Sequence, residues 1–151
     1  MTERTTADPV DPATLRADVA RILGATEAGG VCIVPLDVAY GVVAQTEAGV
    51  RRIFEAKRRS YEKPSGMFAD AEWSRALHVL PEEKRGMIDT LIAEEGLPFS
   101  VVAPFRDEHP LLARVEPFVL ASSSRAGTMD MLLNAGQLHA ELARQARERG
   151  Q

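Results

Sequence analysis

A chain of 151 residues with a formal charge of −4, 45% apolar and 26% charged, has the size and make-up of one globular domain. That balance excludes a surface that is nucleic-acid footprint throughout, and no apolar run reaches the roughly 20 residues of a membrane helix. The polar, proline-bearing start MTERTTADPVDP has no signal-peptide pattern, one cysteine excludes an internal disulfide, and one cysteine with three dispersed histidines makes no metal site. The expected location is cytoplasmic, with no membrane partner.

Residues 1–10 show no regular apolar spacing and read as a disordered arm, leaving 11–143 for the folded domain and 144–151 for a fraying helix end. Asp11 and Pro12 supply a cap and a first helical residue, and Leu15, Val19, Ile22 and Leu23 continue a helix to Ala28, where Gly29-Gly30 stops it. Val31 to Val34 is a β-branched run that predicts a strand buried on both faces, with Cys32 buried in it as a small hydrophobe. Leu36 to Tyr40 forms the turn beyond, and Gly41 to Ala44 fits either a second short strand or the run into the next helix. Thr46 caps that helix, which turns Val50, Ile53 and Phe54 inward, lays the Lys57 stem at the core edge and ends before Pro64.

Met67 to Ala69 is short enough for a strand. Two helical patterns follow, the first turning Trp73, Ala76 and Leu77 inward, the second Met87, Ile88, Leu91 and Ile92, until Gly96. Proline-fenced strands are expected at Phe99 to Ala103 and Phe118 to Ala121, with one helical turn from Leu111 to Val115 between them. Ser122 to Thr128 has turn chemistry, and Met129 to Arg149 reads as a helix using Met131 or Leu132, Ala135, Leu138 and Leu142. Alternating strands and helices predict an α/β or α+β domain, with the sense of the sheet left open.

Six cations, Arg51, Arg52, Lys57, Arg58, Arg59 and Lys63, fall within thirteen residues, a density able to focus an anion into a cleft on an acidic protein. No GxxxxGK[ST] loop, GxGxxG turn or GxSxG elbow occurs. Asp37 reads as a turn residue or as one that orients a substrate amine, and Tyr40 as a base-stacking ring or a lid on the core. Trp73 reads as core, His78 and His139 as structural, and His109 as a loop-shaping residue.

The stretch VPLDVAYGVVAQTEAGVRRIFEAKRRSYEKP resembles the YrdC-like family of threonylcarbamoyl-AMP synthases, whose segment runs PTDTVYGL, a helix, then KGRP and KP. Pro35, Asp37, Tyr40, Gly41, Lys57, Arg59, Lys63 and Pro64 fall on that pattern in order. Leu97 to Val102 resembles the family's PGPxT strand entry, Asp107 to Leu111 its PDHPL, and Ser122 to Gly127 its SANxSG. The likeness runs over about residues 12 to 140.

The resemblance implies a single-domain, twisted mixed sheet flanked by helices, with a concave face for ATP and a small amino-acid or carbamate substrate. The implied reaction joins ATP, threonine and bicarbonate into threonylcarbamoyl-AMP and pyrophosphate, for tRNA modification. Lys57, Arg59 and Lys63 would neutralise the triphosphate with Mg²⁺, Ser122 and Ser124 would hold phosphate or ribose oxygens, and Asp37, Tyr40 and Arg106 would face the substrate.

This chain departs from the pattern at Leu36 and Val38, where the family has threonines, at Arg58 and Ser60 in KGRP, and at Ser124 and Ala126 in SANxSG. Phe105-Arg106 runs almost directly into Asp107, without the strand pair family members carry there; Arg106 stands nearest the lost arginine. Two further readings stay open: a nucleotide- or RNA-binding module without turnover, and an interaction subunit in a biosynthetic or regulatory complex; tRNA, another tRNA-modification protein or a second copy of the chain are the macromolecular partners in view.

Overall fold

The computed structural model describes residues 10–151, so the arm predicted over 1–10 lies outside the described residues except at Val10. Helix α1 (Pro12–Glu27) begins where Asp11 accepts the amide of Thr14 at 2.9 Å. It packs against the last helix, α6 (Gln137–Arg149), through Val19, Leu23 and Leu142, with Gln145 Nε2 donating to Arg16 O at 3.2 Å. Arg147 ties the same helix to Asp70 and Glu72. The end predicted to fray is helical to Arg149, closed by left-handed Gly150.

Strands β1 (Cys32–Pro35) and β2 (Tyr40–Val43) form a separate two-stranded antiparallel sheet. This settles Gly41 to Val43 as strand, with Tyr40 added from the expected turn and Ala44 outside it, and corrects the expectation that β1 is buried on both faces. Val34 is 1% exposed on the inner face, while Ile33 is 71% exposed on the outer one. With no sheet on either flank, only the period-2 inner set meets the core. Cys32 is half-buried.

The main sheet has four strands ordered β3 (Met67–Phe68), β6 (Thr128–Leu133), β4 (Phe99–Pro104), with β5 (Ser124–Arg125) also on β6. β3 runs parallel to β6; β4 and β5 run antiparallel to it. Trp73 and Leu77 of α3 (Ala71–Leu77), with Leu112, pack on the face of the sheet that β6 presents through Met129, Met131 and Leu133. Helix α4 (Glu82–Thr90) continues into a wider π turn, Leu91–Glu95, and Met87, expected inward, is 53% exposed there.

Two predicted elements change type. Phe118 to Ala121, expected as a strand, lies in helix α5 (Pro117–Ser123). Pro117 occupies the first helical position, and Ser122 and Ser124 give their hydroxyls to Val119 O and Leu120 O at 3.0 and 2.8 Å. The segment Thr128–Leu133, expected as loop end and helix start, is the central strand, entered by a turn with Ala126 and Gly127 at positive φ. Met129, Met131 and Leu133 alternate inward, and pairing on both sides outweighs the helix preference of Met and Leu.

Candidate functional site

Helix α2 (Glu47–Ala56) carries the site. Thr46 accepts the amide of Gly49 at 3.2 Å, and Glu116 reaches across from the start of α5 to accept the amide of Glu47 at 3.0 Å. The other end closes with Lys57 as cap, Arg58 at φ 47, Arg58 N–H bonding Glu55 O and Arg59 N–H bonding Phe54 O. Those two bonds make a Schellman motif, in which glycine is the residue suited to the Arg58 position.

The loop that follows brings Lys57, Arg58, Arg59, Ser60 and Lys63 around one opening. Arg59 braces it: Nε donates to Lys63 O at 3.0 Å and Nη2 to Pro64 O at 2.6 Å. Arg125 braces it from the β5–β6 hairpin, Nη1 donating to Glu62 O at 3.0 Å. The ammonium groups of Lys57 and Lys63 have no hydrogen-bond or ion-pair partner among the described residues and remain available to an anion. Tyr61 is clamped between Phe54, at 4.9 Å, and the edge of Phe118, at 5.5 Å. The Arg51 guanidinium lies 3.8 Å from the Phe118 ring centre and is held by Glu47, which raises its pKa further. Sequence reasoning missed Arg125, Tyr61 and Phe118 as loop-holding residues. The aromatics carry no motif, and Arg125 is visible only as the residue inside the SSSRAG turn.

A cleft of about 550 Å³ borders this loop and shares Lys57 and Arg59 with it. The hydrophobic core is split into two clusters, and the cleft lies between them, lined by Trp73, Leu112 and Met129 from one and by Leu23 and Leu142 from the other.

The remaining predicted site residues are spread around this centre. Ser122 is buried with its hydroxyl committed to α5, although its carbonyl accepts the amide of Ser65 at 2.8 Å and so anchors the cationic loop. Ser124 is likewise bonded to its own helix. Asp37 and Tyr40 do not line the cleft. The Asp37 amide bonds Ala135 O at 3.1 Å and its carboxylate lies against Gly136 at the head of α6. Tyr40 is 77% exposed, which overturns its reading as a lid on the core. Leu36, at a family threonine position, packs beside Gly41 together with Phe68. Arg106 donates to Ala76 O and His78 O at the end of α3, away from the cleft lining.

His78 and His139 are interior. Each donates Nε2–H to a β6 carbonyl, of Met129 at 3.1 Å and of Leu132 at 3.0 Å. His78 Nδ1 accepts from Ser74 Oγ, whereas His139 Nδ1 is buried without a partner. Burial pushes both pKa values down. His109 Nδ1 accepts the amide of Leu111 and starts the turn Pro110–Leu112. Among the described residues no group of three or more His, Cys, Asp or Glu could hold a metal ion, and no helix is long and apolar enough to cross a membrane.

No family profile matches the chain, and no curated protein sequence does. Solved structures do. The hypothetical protein smu.1377c from Streptococcus mutans aligns at a TM-score of 0.74 and 23% identity, over 85% of this chain and 52% of that one. Sua5 of P. abyssi, solved with L-threonine, aligns at a TM-score of 0.60 and 21% identity, over 93% of this chain and 38% of that one. The chain thus spans about half the length of the first of these and less of the second. Sua5 belongs to the YrdC family, and the likeness is one of fold: a YrdC-like α+β domain with two sheets and no closed barrel.

Proposed function

We propose that this chain binds the triphosphate of ATP through the Lys57–Lys63 loop and carries out adenylyl transfer of the YrdC type. The acceptor the resemblance implies is threonylcarbamate, made from threonine and bicarbonate, with threonylcarbamoyl-AMP and pyrophosphate as products and tRNA threonylcarbamoyladenosine as their destination. The observation that carries the reading is the braced cationic loop, with the ammonium groups of Lys57 and Lys63 free beside a cleft.

Adenylyl transfer asks little covalent chemistry of a protein. It needs positive charge fixed in advance where pyrophosphate leaves. Arg59 and Arg125 use guanidinium donors to fix the loop backbone, so Lys57 and Lys63 supply the point charges. Mg²⁺ would come with the phosphates, keeping several of its waters, since it needs no cage of protein ligands.

A second reading, a nucleotide- or RNA-binding module without turnover, is favoured by the Leu36–Tyr40 turn, which has Leu36 and Val38 in place of threonine hydroxyls and stands outside the cleft. Pyrophosphate release from ATP, threonine, bicarbonate and Mg²⁺ separates the two. Release above background that is lost in Lys63→Ala supports the enzyme; ATP binding without release supports the module. Affinity for RNA that falls steeply with salt would mark the RNA form of that module.

A further inference from the structure

Helix α2 sends Thr46, Val50, Ile53 and Lys57 into the cleft at spacings of four, three and four residues, which lays them along one helix face. The stripe runs about 16 Å at the helical rise of about 1.5 Å per residue. Its two ends differ in charge. At the Thr46 end, Glu27 and Glu116 line the cleft; at the other end stand Lys57 and Arg59, and the lining also holds Arg114, whose Nη1 donates to Arg149 O at 3.3 Å. Between them the walls are mainly apolar, with Leu23 and Leu142 on one side and Trp73 and Leu112 on the other, and Thr26, Gln45, Ser65 and Ser123 as their polar members.

From this we infer that the cleft is a binding site for an unbranched aliphatic monocarboxylate, its chain lying between the two apolar clusters and its carboxylate at Lys57 Nζ. Apolar walls favour methylene groups and penalise unpaired polar ones. Thr26 and Gln45 lie on the wall, but the Thr26 hydroxyl donates to Ile22 O and Leu23 O, and Gln45 Nε2 donates to Leu23 O and Thr26 Oγ1. Their donors are spent within the protein, so that stretch of wall sets no unpaired donor against a methylene chain. Glu27 and Glu116 disfavour a carboxylate near Thr46, Arg114 is engaged with Arg149 O, and the unpartnered Lys57 ammonium attracts the carboxylate to its own end.

The site stands on this geometry alone. Only the acid's role as adenylyl acceptor, in place of threonylcarbamate, rests on the adenylyl transfer proposed above. In that role one carboxylate oxygen bonds to the α-phosphorus of ATP, the bond from that phosphorus to its bridging oxygen breaks, and pyrophosphate leaves with the electron pair; nothing is oxidised or reduced.

Trp73 is the sole tryptophan and lines the cleft, so its emission reports occupancy. Titration with ω-bromoundecanoate, a contact quencher, should quench it saturably, and the corresponding bromo-alcohol should bind at least about tenfold more weakly, the worth of a charge-assisted hydrogen bond. Lys57→Met should abolish the preference for the acid while leaving the alcohol unchanged. Ala146→Phe, which adds a ring from the α6 wall, should remove quenching by both, with folding checked by circular dichroism. Saturable quenching with equal affinity for acid and alcohol would overturn the carboxylate assignment, and absence of saturable quenching in the parent protein would overturn the site. ATP binding measured separately by calorimetry keeps the outcomes apart: ATP binding without quenching sinks this inference alone, and quenching without ATP binding sinks the adenylyl-transfer reading alone.

Discussion

The carboxylate of Asp37 lies so close to Gly136 that a Cβ built on the glycine would stand 2.5 Å from Oδ1. Gly136 also has φ 107, where a side chain is strained whatever the space. This contact, with the Asp37 amide on Ala135 O, fastens the β1–β2 hairpin to the head of α6. Gly136→Ala should destabilise the protein by at least about 2 kcal/mol in urea unfolding. Asp37→Ala in the same chain should recover part of that loss, because the strained backbone would remain while the clash would go.

Arg58 gives the opposite prediction. At φ 47 it occupies the glycine position of the Schellman motif. Arg58→Gly should raise stability or leave it unchanged, within about 1 kcal/mol, since relief of the left-handed strain competes with the added freedom of the unfolded chain. A loss above about 2 kcal/mol would mean that the Arg58 side chain holds the loop, and the unfolding midpoint reads the difference.

The cationic loop predicts a split among its residues. Lys57→Ala and Lys63→Ala should each weaken ATP by about tenfold or more with little change in melting temperature, because their ammonium groups bond nothing among the described residues. Arg59→Ala should lower both affinity and melting temperature, since its guanidinium closes the loop onto Lys63 O and Pro64 O. Calorimetry beside thermal melts reads the two effects.

Stability should depend on pH through the interior histidines. Burial lowers the pKa values of His78 and His139 below their ordinary value of 6.5; Arg85 adds to this at His78, while Asp130 there and Asp70 and Asp37 at His139 push the other way. A depressed folded pKa means that the unfolded chain takes up protons first. The contribution is therefore present above about pH 6.5 and is lost as pH falls below it. The melting temperature should decline between about pH 6.5 and 5, before carboxylates titrate, and His139→Gln, which keeps a donor for Leu132 O, should flatten that decline.

Much of this arrangement was legible in the residues. Asp11 and Thr46 announced their helices because an N-cap is a local device, and Lys57, Arg59 and Lys63 could be placed together because they share one loop. Strand β6 was not legible as a strand: Thr128 to Leu133 is strand through neighbours drawn from Met67 and Phe99, far away in sequence. Pro117 was read as a fence where it is a helix start, and Ser122 and Ser124 as ligand-facing where their hydroxyls close that helix. Asp37 and Tyr40 could be located in a turn, but whether that turn faces the cleft depends on how the hairpin docks.

The central position of β6 bears on how the molecule forms. Met67 of β3 waits for Met131, roughly sixty positions later, and β4 and β5 likewise pair only with that strand. Helices α1 to α4 and the β1–β2 hairpin can close on local contacts, but the main sheet has no partial version without β6. During synthesis on the ribosome Trp73 and Leu77 therefore remain without their strand cover until Leu133 has emerged, an interval in which those surfaces are exposed to chaperones and to aggregation.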